Sequence, residues 1–133
     1  MIKVIIAGGR EFSDYHYLCK IMDNILRLRT LDEVTIICGM AKGADLLGLR
    51  YAKERGYSWL EFPADWDNLD VTPCFIRYIK GKPYNALAGN IRNKKMADVG
   101  THLVAFHDKV SKGTKDMIAL ANKEGLVVKV VNY

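Results

Sequence analysis

The chain lacks any long apolar run, and nothing in its 133 residues approaches the ~18–20 consecutive apolar residues of a membrane-crossing helix. No membrane partner is expected. Cysteine is scarce: Cys19, Cys38 and Cys74 stand far apart, odd in number and in no metal-ligand spacing. A disulfide framework is excluded, no metal is expected, and reduced buried thiols point to a cytoplasmic protein. The first strand is expected from Ile2, which leaves no room for a signal peptide. No run of five or six basic residues occurs, and the densest basic set is Arg92, Lys94 and Lys95. The net charge of +5 therefore favours an anionic ligand without choosing its size. Also missing are a Ser-His-Asp order and a Cys-His pair of catalytic character.

Half of the residues are hydrophobic and 26% are charged, the balance of one globular domain at this length. Residues 34–38, apolar and β-branched, read as a strand buried on both faces, and residues 2–7 read likewise. Strands over 57–62, 101–106 and 126–131 complete a set of five. Helical spacing predicts a helix over 15–29 with Leu18, Ile21, Met22, Ile25 and Leu28 on one face, capped by Ser13 or Asp14. A second helix over 44–55 is expected to bury Leu46, Leu47, Leu49, Tyr51 and Ala52 and to stop at Gly56. A third begins near Asn85, turns Ile91, Met96 and Ala97 inward and ends near Gly100. A fourth over 114–123 buries Met117, Ile118 and Ala121. Alternating strands and helices predict an α/β fold: a single three-layer domain spanning residues 1–133, its five-stranded parallel sheet in order 3-2-1-4-5 with helices on both faces. Only from 64 to 84 does periodicity dissolve, in a long loop carrying Pro73, Pro83, Trp66, Phe75 and Tyr78.

In that topology the turns after strands 1, 2 and 4 open at one carboxyl edge, where such sheets bind ligands. Gly8 and Gly9 would let a ligand approach the backbone, and Arg10 could fork onto a phosphate or carboxylate. Gly39, Ala41, Lys42 and Gly43 form a tight loop leading into the positive end of a helix. Asp45, in that helix's first turn, suits either a ribose hydroxyl or a cap. Ser111, Gly113 and Thr114 form a small anion nest. Arg92 is a phosphate candidate, Asn93 is mildly unfavourable in mid-helix unless it is used, and Trp66 could stack on a base. No catalytic residue is assigned; Asp45, His107 and Asp116 are the acid–base candidates.

Five motifs in order carry a resemblance. They are Gly8-Gly9-Arg10-Glu11-Phe12-Ser13-Asp14, Gly39-Met40-Ala41-Lys42-Gly43-Ala44-Asp45, Pro63-Ala64-Asp65-Trp66, Ala88-Gly89-Asn90-Ile91-Arg92-Asn93-Lys94-Lys95-Met96 and Ser111-Lys112-Gly113-Thr114-Lys115-Asp116-Met117. Together they resemble the YspA-like branch of the SLOG superfamily, whose relatives include the Lonely Guy phosphoribohydrolases and the DprA Rossmann-like domain. The resemblance implies a Rossmann-like fold that binds a nucleotide or nucleotide-derived ligand at the glycine turns, and a homo-oligomer. Two departures stand out. Residues 67–84 look like an insertion. Met117 stands where the phosphoribohydrolases carry their catalytic Glu, with Asp116 beside it.

Three functions follow as expectations. The first is a sensor, carrier or sequestering protein for a nucleotide or ADP-ribose-like ligand, with no cofactor beyond that ligand. The second is hydrolysis of a nucleoside-monophosphate N-glycosidic bond, which needs a carboxylate near the anomeric carbon or the attacking water. The third, less favoured for want of an aromatic-basic stripe, is nucleic-acid binding. The insertion leaves strand 3 at the ligand edge and is expected to act as a lid or a subunit interface.

Overall fold

A computed structural model describes residues 1–133. Its chain order is β1 (Ile2–Gly8), α1 (Tyr15–Leu26), β2 (Val34–Cys38), α2 (Ala44–Arg55), β3 (Ser58–Glu61), β4 (Ile76–Ile79), β5 (Lys82–Asn85), α3 (Ala88–Val99), β6 (His102–His107), α4 (Lys112–Lys123) and β7 (Val127–Asn132). Five strands form a wholly parallel sheet in order β3-β2-β1-β6-β7, and β4 with β5 forms a separate antiparallel hairpin. The main sheet has the expected order, with the hairpin intervening in the chain between its third and fourth strands.

Alternation along β1 divides the core. Ile2, Val4 and Ile6 face one layer with Leu18, Met22, Tyr51 and Phe106, while Ile5 and Ala7 face the other with Met96, Ala97, Met117 and Ala121. Helices α1 and α2 thus cover one face, and α3 and α4 the other. Because the central strands are covered on both sides, they read as continuous apolar runs. β3 is an edge strand, and its four residues are exposed.

Two helix faces differ from expectation. The α1 side chain of Asp14 accepts from Tyr17 N at 3.0 Å and caps the helix, but α1 ends at Leu26. Leu28 therefore lies beyond it, 85% exposed, and Cys19 and Leu26 complete the buried stripe. α2 buries Ala44, Gly48, Tyr51 and Ala52, whereas Leu46 is exposed and Leu47 and Leu49 are half-buried. The cause is close approach: a Cβ on Gly48 would come within 2.8 Å of the Ile6 side chain. Small residues at spacings of four set that contact, so the leucines sit to its flanks.

The stretch expected as a loop is more ordered than its composition implies. Ile76 to Ile79 pairs with Lys82 to Asn85 across a two-residue turn, Lys80-Gly81, with φ of 51° and 78°. Two positive φ values are the signature of the turn that matches strand twist in hairpins. Asn85, which the sequence suggested as a helix start, is a fully buried anchor instead. Its Oδ1 accepts from Phe75 N at 3.1 Å and Leu87 N at 3.0 Å, its Nδ2 donates to the Pro73 carbonyl, and its own N–H donates to the Trp66 carbonyl at 2.7 Å. Replacing Asn85 with Ala leaves two amides without their acceptor, which should cost about 2 kcal/mol or more. Chemical denaturation checks the loss, and hydrogen exchange should quicken first at residues 76–85.

Candidate functional site

At the carboxyl edge of the sheet, between β1 and β6, lies a cleft of ≈ 800 Å³. All three expected turns reach it. Gly8 comes from the end of β1 and Arg10 from the turn after it, Ala41 from the turn after β2 and Asp45 from the first turn of α2, and Ser111, Gly113 and Thr114 from the start of α4. Trp66, Arg92 and Asn93 complete the expected set at its walls, and Met117 lies in its lining.

The turns are welded by backbone. Gly9 N donates to the Phe106 carbonyl at 3.0 Å, and Ala44 N donates to the Gly9 carbonyl at 3.3 Å. Four expected binding residues, Gly9, Gly39, Lys42 and Gly43, do not border the cleft. Gly43, with φ of 91°, packs where any Cβ would stand 2.3 Å from the Gly9 carbonyl oxygen. The Tyr133 hydroxyl covers Gly9, and Gly39 makes room for the Asp45 carboxylate and the Arg92 guanidinium. Lys42 points to solvent. Gly9, Gly39 and Gly43 serve packing within the chain, and of the glycines in the three turns at this edge only Gly113 faces open space, with nothing within 4 Å of an added Cβ.

Helix α3 delivers Arg92 and Asn93 from the far side. Arg92 Nε donates to Asn93 Oδ1 at 2.9 Å, and its Nη1 donates to the Gly39 carbonyl. Asn93 Nδ2 donates to the Gly113 carbonyl at 3.2 Å and to Asp116 Oδ2 at 3.0 Å. The polar residue in mid-helix is therefore used, as a clamp between α3 and the first turn of α4. Asp116 is turned to that clamp and does not border the cleft. His107 is buried with Nδ1 lacking a hydrogen bond, 3.8 Å from Asp108 Oδ1, and it does not border the cleft either.

Four cations, Arg10, Arg77, Arg92 and Lys112, face three carboxylates, Glu11, Asp45 and Asp108, around the walls. Two of those carboxylates are compromised as charges open to a ligand. Asp108 Oδ1 accepts from Val110 N at 2.9 Å and Ser111 N at 2.8 Å, which holds its carboxyl below the usual range. Asp45 is buried, and burial pushes its carboxyl up to about 6 despite the attraction of Arg92 and a 3.3 Å bond from Ala41 N. Burial also draws the Arg92 guanidinium below its ordinary value. With Val110 and Ser111 amides taken, those of Lys112, Gly113 and Thr114 remain without partners inside the helix, as the first N–H groups of any helix do.

Asp108 escaped the reading of the sequence. Its trace there is an Asp two residues before a turn amide, Asp108-Lys109-Val110, the pattern by which Asp closes a local turn. Arg77, from the segment expected at the ligand edge, and Lys112, from the third glycine turn, also reach the walls, and Asn90 is brought there by folding alone.

Two outcomes are expected. A Gly43→Ala substitution should destabilise the fold by more than about 2 kcal/mol, since it combines a backbone collision with a left-handed φ; thermal unfolding measures it. For Asp45, the folded value lies above the unfolded one, so its contribution to stability is present below about pH 4 and lost as pH rises through about 6. The loss is about 3 kcal/mol at most, and Asp45→Asn should flatten that part of the stability–pH curve.

The family model described as YspA, cpYpsA-related SLOG family matches residues 2–68. Among solved structures, DNA processing protein A of Streptococcus pneumoniae aligns with a TM-score of 0.72 and 20% identity, over 98% of this chain and 50% of that one. The Helicobacter pylori protein of the same name, described for its single-stranded DNA binding mode, aligns with a TM-score of 0.65 and 16% identity, over 97% of this chain and 64% of that one. This chain thus spans half to under two thirds of those proteins, and at such identity the likeness is one of fold. No curated protein sequence matches it. The ordered glycine turns, the sheet order and the matched first half agree: the chain belongs to the YspA, cpYpsA-related SLOG family.

Proposed function

We propose that the chain binds a nucleotide or a nucleotide-derived ligand of the ADP-ribose kind in the cleft between β1 and β6, as a sensor, carrier or sequestering protein. One observation carries the reading. The unpartnered amides at the start of α4, beside a glycine with open space in front of it, face the same cleft as Arg10. Helix-end amides and a guanidinium supply what a phosphate requires: aligned N–H donors, a favourable dipole and a forked cation. Trp66, half-buried and packed against Gly89, offers a flat apolar wall for a base or sugar.

Hydrolysis is not inferred. The place of the phosphoribohydrolase Glu holds the buried thioether of Met117, and the adjacent Asp116 is bonded to Asn93. Nucleic acid remains the second reading, favoured by the exposed cations Arg10, Arg77 and Lys112 along the cleft.

The cleanest test is Gly113→Leu. The added side chain meets no protein atom near its Cβ and replaces a poor helix former, so stability should hold or rise by up to about 1 kcal/mol. It would, however, fill the space before the amides. Calorimetric titration with ADP-ribose should show binding by the native chain and a loss of tenfold or more in the variant. Equal affinity in both would overturn this placement of the phosphate.

A further inference from the structure

Beside the cleft lies a second groove of ≈ 550 Å³, built by the hairpin. The pairings Arg77↔Tyr84 and Ile79↔Lys82 put these four side chains on one face of the hairpin, and all four line the groove. The two spaces are continuous, because Arg10, Trp66 and Arg77 border both.

The junction is cationic and unpaired. Neither Arg10 nor Arg77 has a carboxylate oxygen within 4.0 Å, although both stand in a chain with 15 acidic residues. Arg77 lies over the Phe75 ring at 5.2 Å, which steadies its guanidinium while leaving its N–H groups free. Beyond the junction, Tyr84 meets Trp66 edge-on, with ring centroids 6.3 Å apart, and Lys82 makes a 3.5 Å pair with Asp67. Both partners of that pair are 74% exposed, so it is weakly held and open to exchange for another anion. The groove ends at the Lys80-Gly81 turn.

Two compartments joined at a pair of free guanidiniums, each with an aromatic wall, match a ligand of two nucleosides joined by phosphate. We propose that the hairpin groove is a second ligand compartment and that the ligand is a dinucleotide. Its bridging phosphate lies between Arg10 and Arg77, one nucleoside occupies the cleft against Trp66, and the second base lies against Tyr84. This rests on the reading of the cleft as a nucleotide site. The anchoring of the hairpin by buried Asn85 makes the compartment a standing part of the fold.

The experiment is calorimetry with AMP, the phosphodiester pApA, the pyrophosphate-linked diadenosine AppA and the ten-residue oligonucleotide A10. At least one dinucleotide should bind tenfold or more tightly than AMP, and the preferred one identifies the linkage. The double variant Lys82→Ala/Tyr84→Leu, which keeps an apolar side chain against Trp66, should reduce that dinucleotide to the affinity of AMP while leaving AMP itself unchanged. Lys82→Glu, at an exposed site that cannot disturb the core, should weaken the dinucleotide severalfold and AMP not at all. AMP binding as tightly as both dinucleotides would overturn the proposal and leave the cleft reading standing. So would variants that lower AMP and dinucleotide alike. A10 binding more than tenfold more tightly than pApA would overturn the two-unit limit in favour of a nucleic-acid track. Failure of AMP, ADP-ribose and both dinucleotides to bind would overturn the cleft reading, and this proposal with it.

Discussion

Close backbone contact between the turns at the carboxyl edge is the constraint on which the rest depends. The Gly9 amide reaches the Phe106 carbonyl, the Ala44 amide reaches the Gly9 carbonyl, and Gly43 leaves no space for a side chain between them. Those contacts tie β1, the start of α2 and the end of β6 directly to one another. The cleft walls from β1, α2, α3 and α4 are hung from those contacts or from helices packed on them, and the hairpin segment adds Trp66, Phe75 and Arg77, so the geometry offered to a ligand is set before a ligand arrives.

The same packing fixes the electrostatics. Because Gly39 is small, Asp45 and Arg92 can both pack against it in the cleft wall, where burial presses both toward their neutral forms. Arg92 spends hydrogen bonds on Asn93 and the Gly39 carbonyl, so it holds the wall in place and supports the positive field from behind. Arg10 and Arg77, at the surface, keep their donors free. A buried cation with bonds to satisfy and exposed cations without partners divide the work of shaping the site and meeting an anion.

The hairpin adds a wall the main sheet does not supply. Its strands are short, and two strands alone are marginal in water. Asn85 makes it durable by tying its base to the backbone at Pro73, Phe75 and Leu87. One face then looks into the groove, and the other presents Ile76 and Tyr78 to solvent.

The five strands, their order and the turns that meet at one edge were legible in the sequence, because a strand covered on both faces must be apolar throughout and a crossover has a fixed hand. Helix ends were legible where a single residue decides them, as at Asp14 and Gly56. The buried face of α2 was not legible: hydrophobicity marks its leucines, but the distance to Ile6 selects Ala44 and Gly48. The hairpin left only Lys80-Gly81 as a local trace, since its pairing is held by an Asn whose partners reach back to Pro73 and to the Trp66 carbonyl. The purpose of the glycines was likewise decided in three dimensions. A sequence shows that a glycine permits close approach, but only the tertiary structure shows what approaches: the chain's own backbone at Gly43, its last side chain at Gly9, and open space at Gly113.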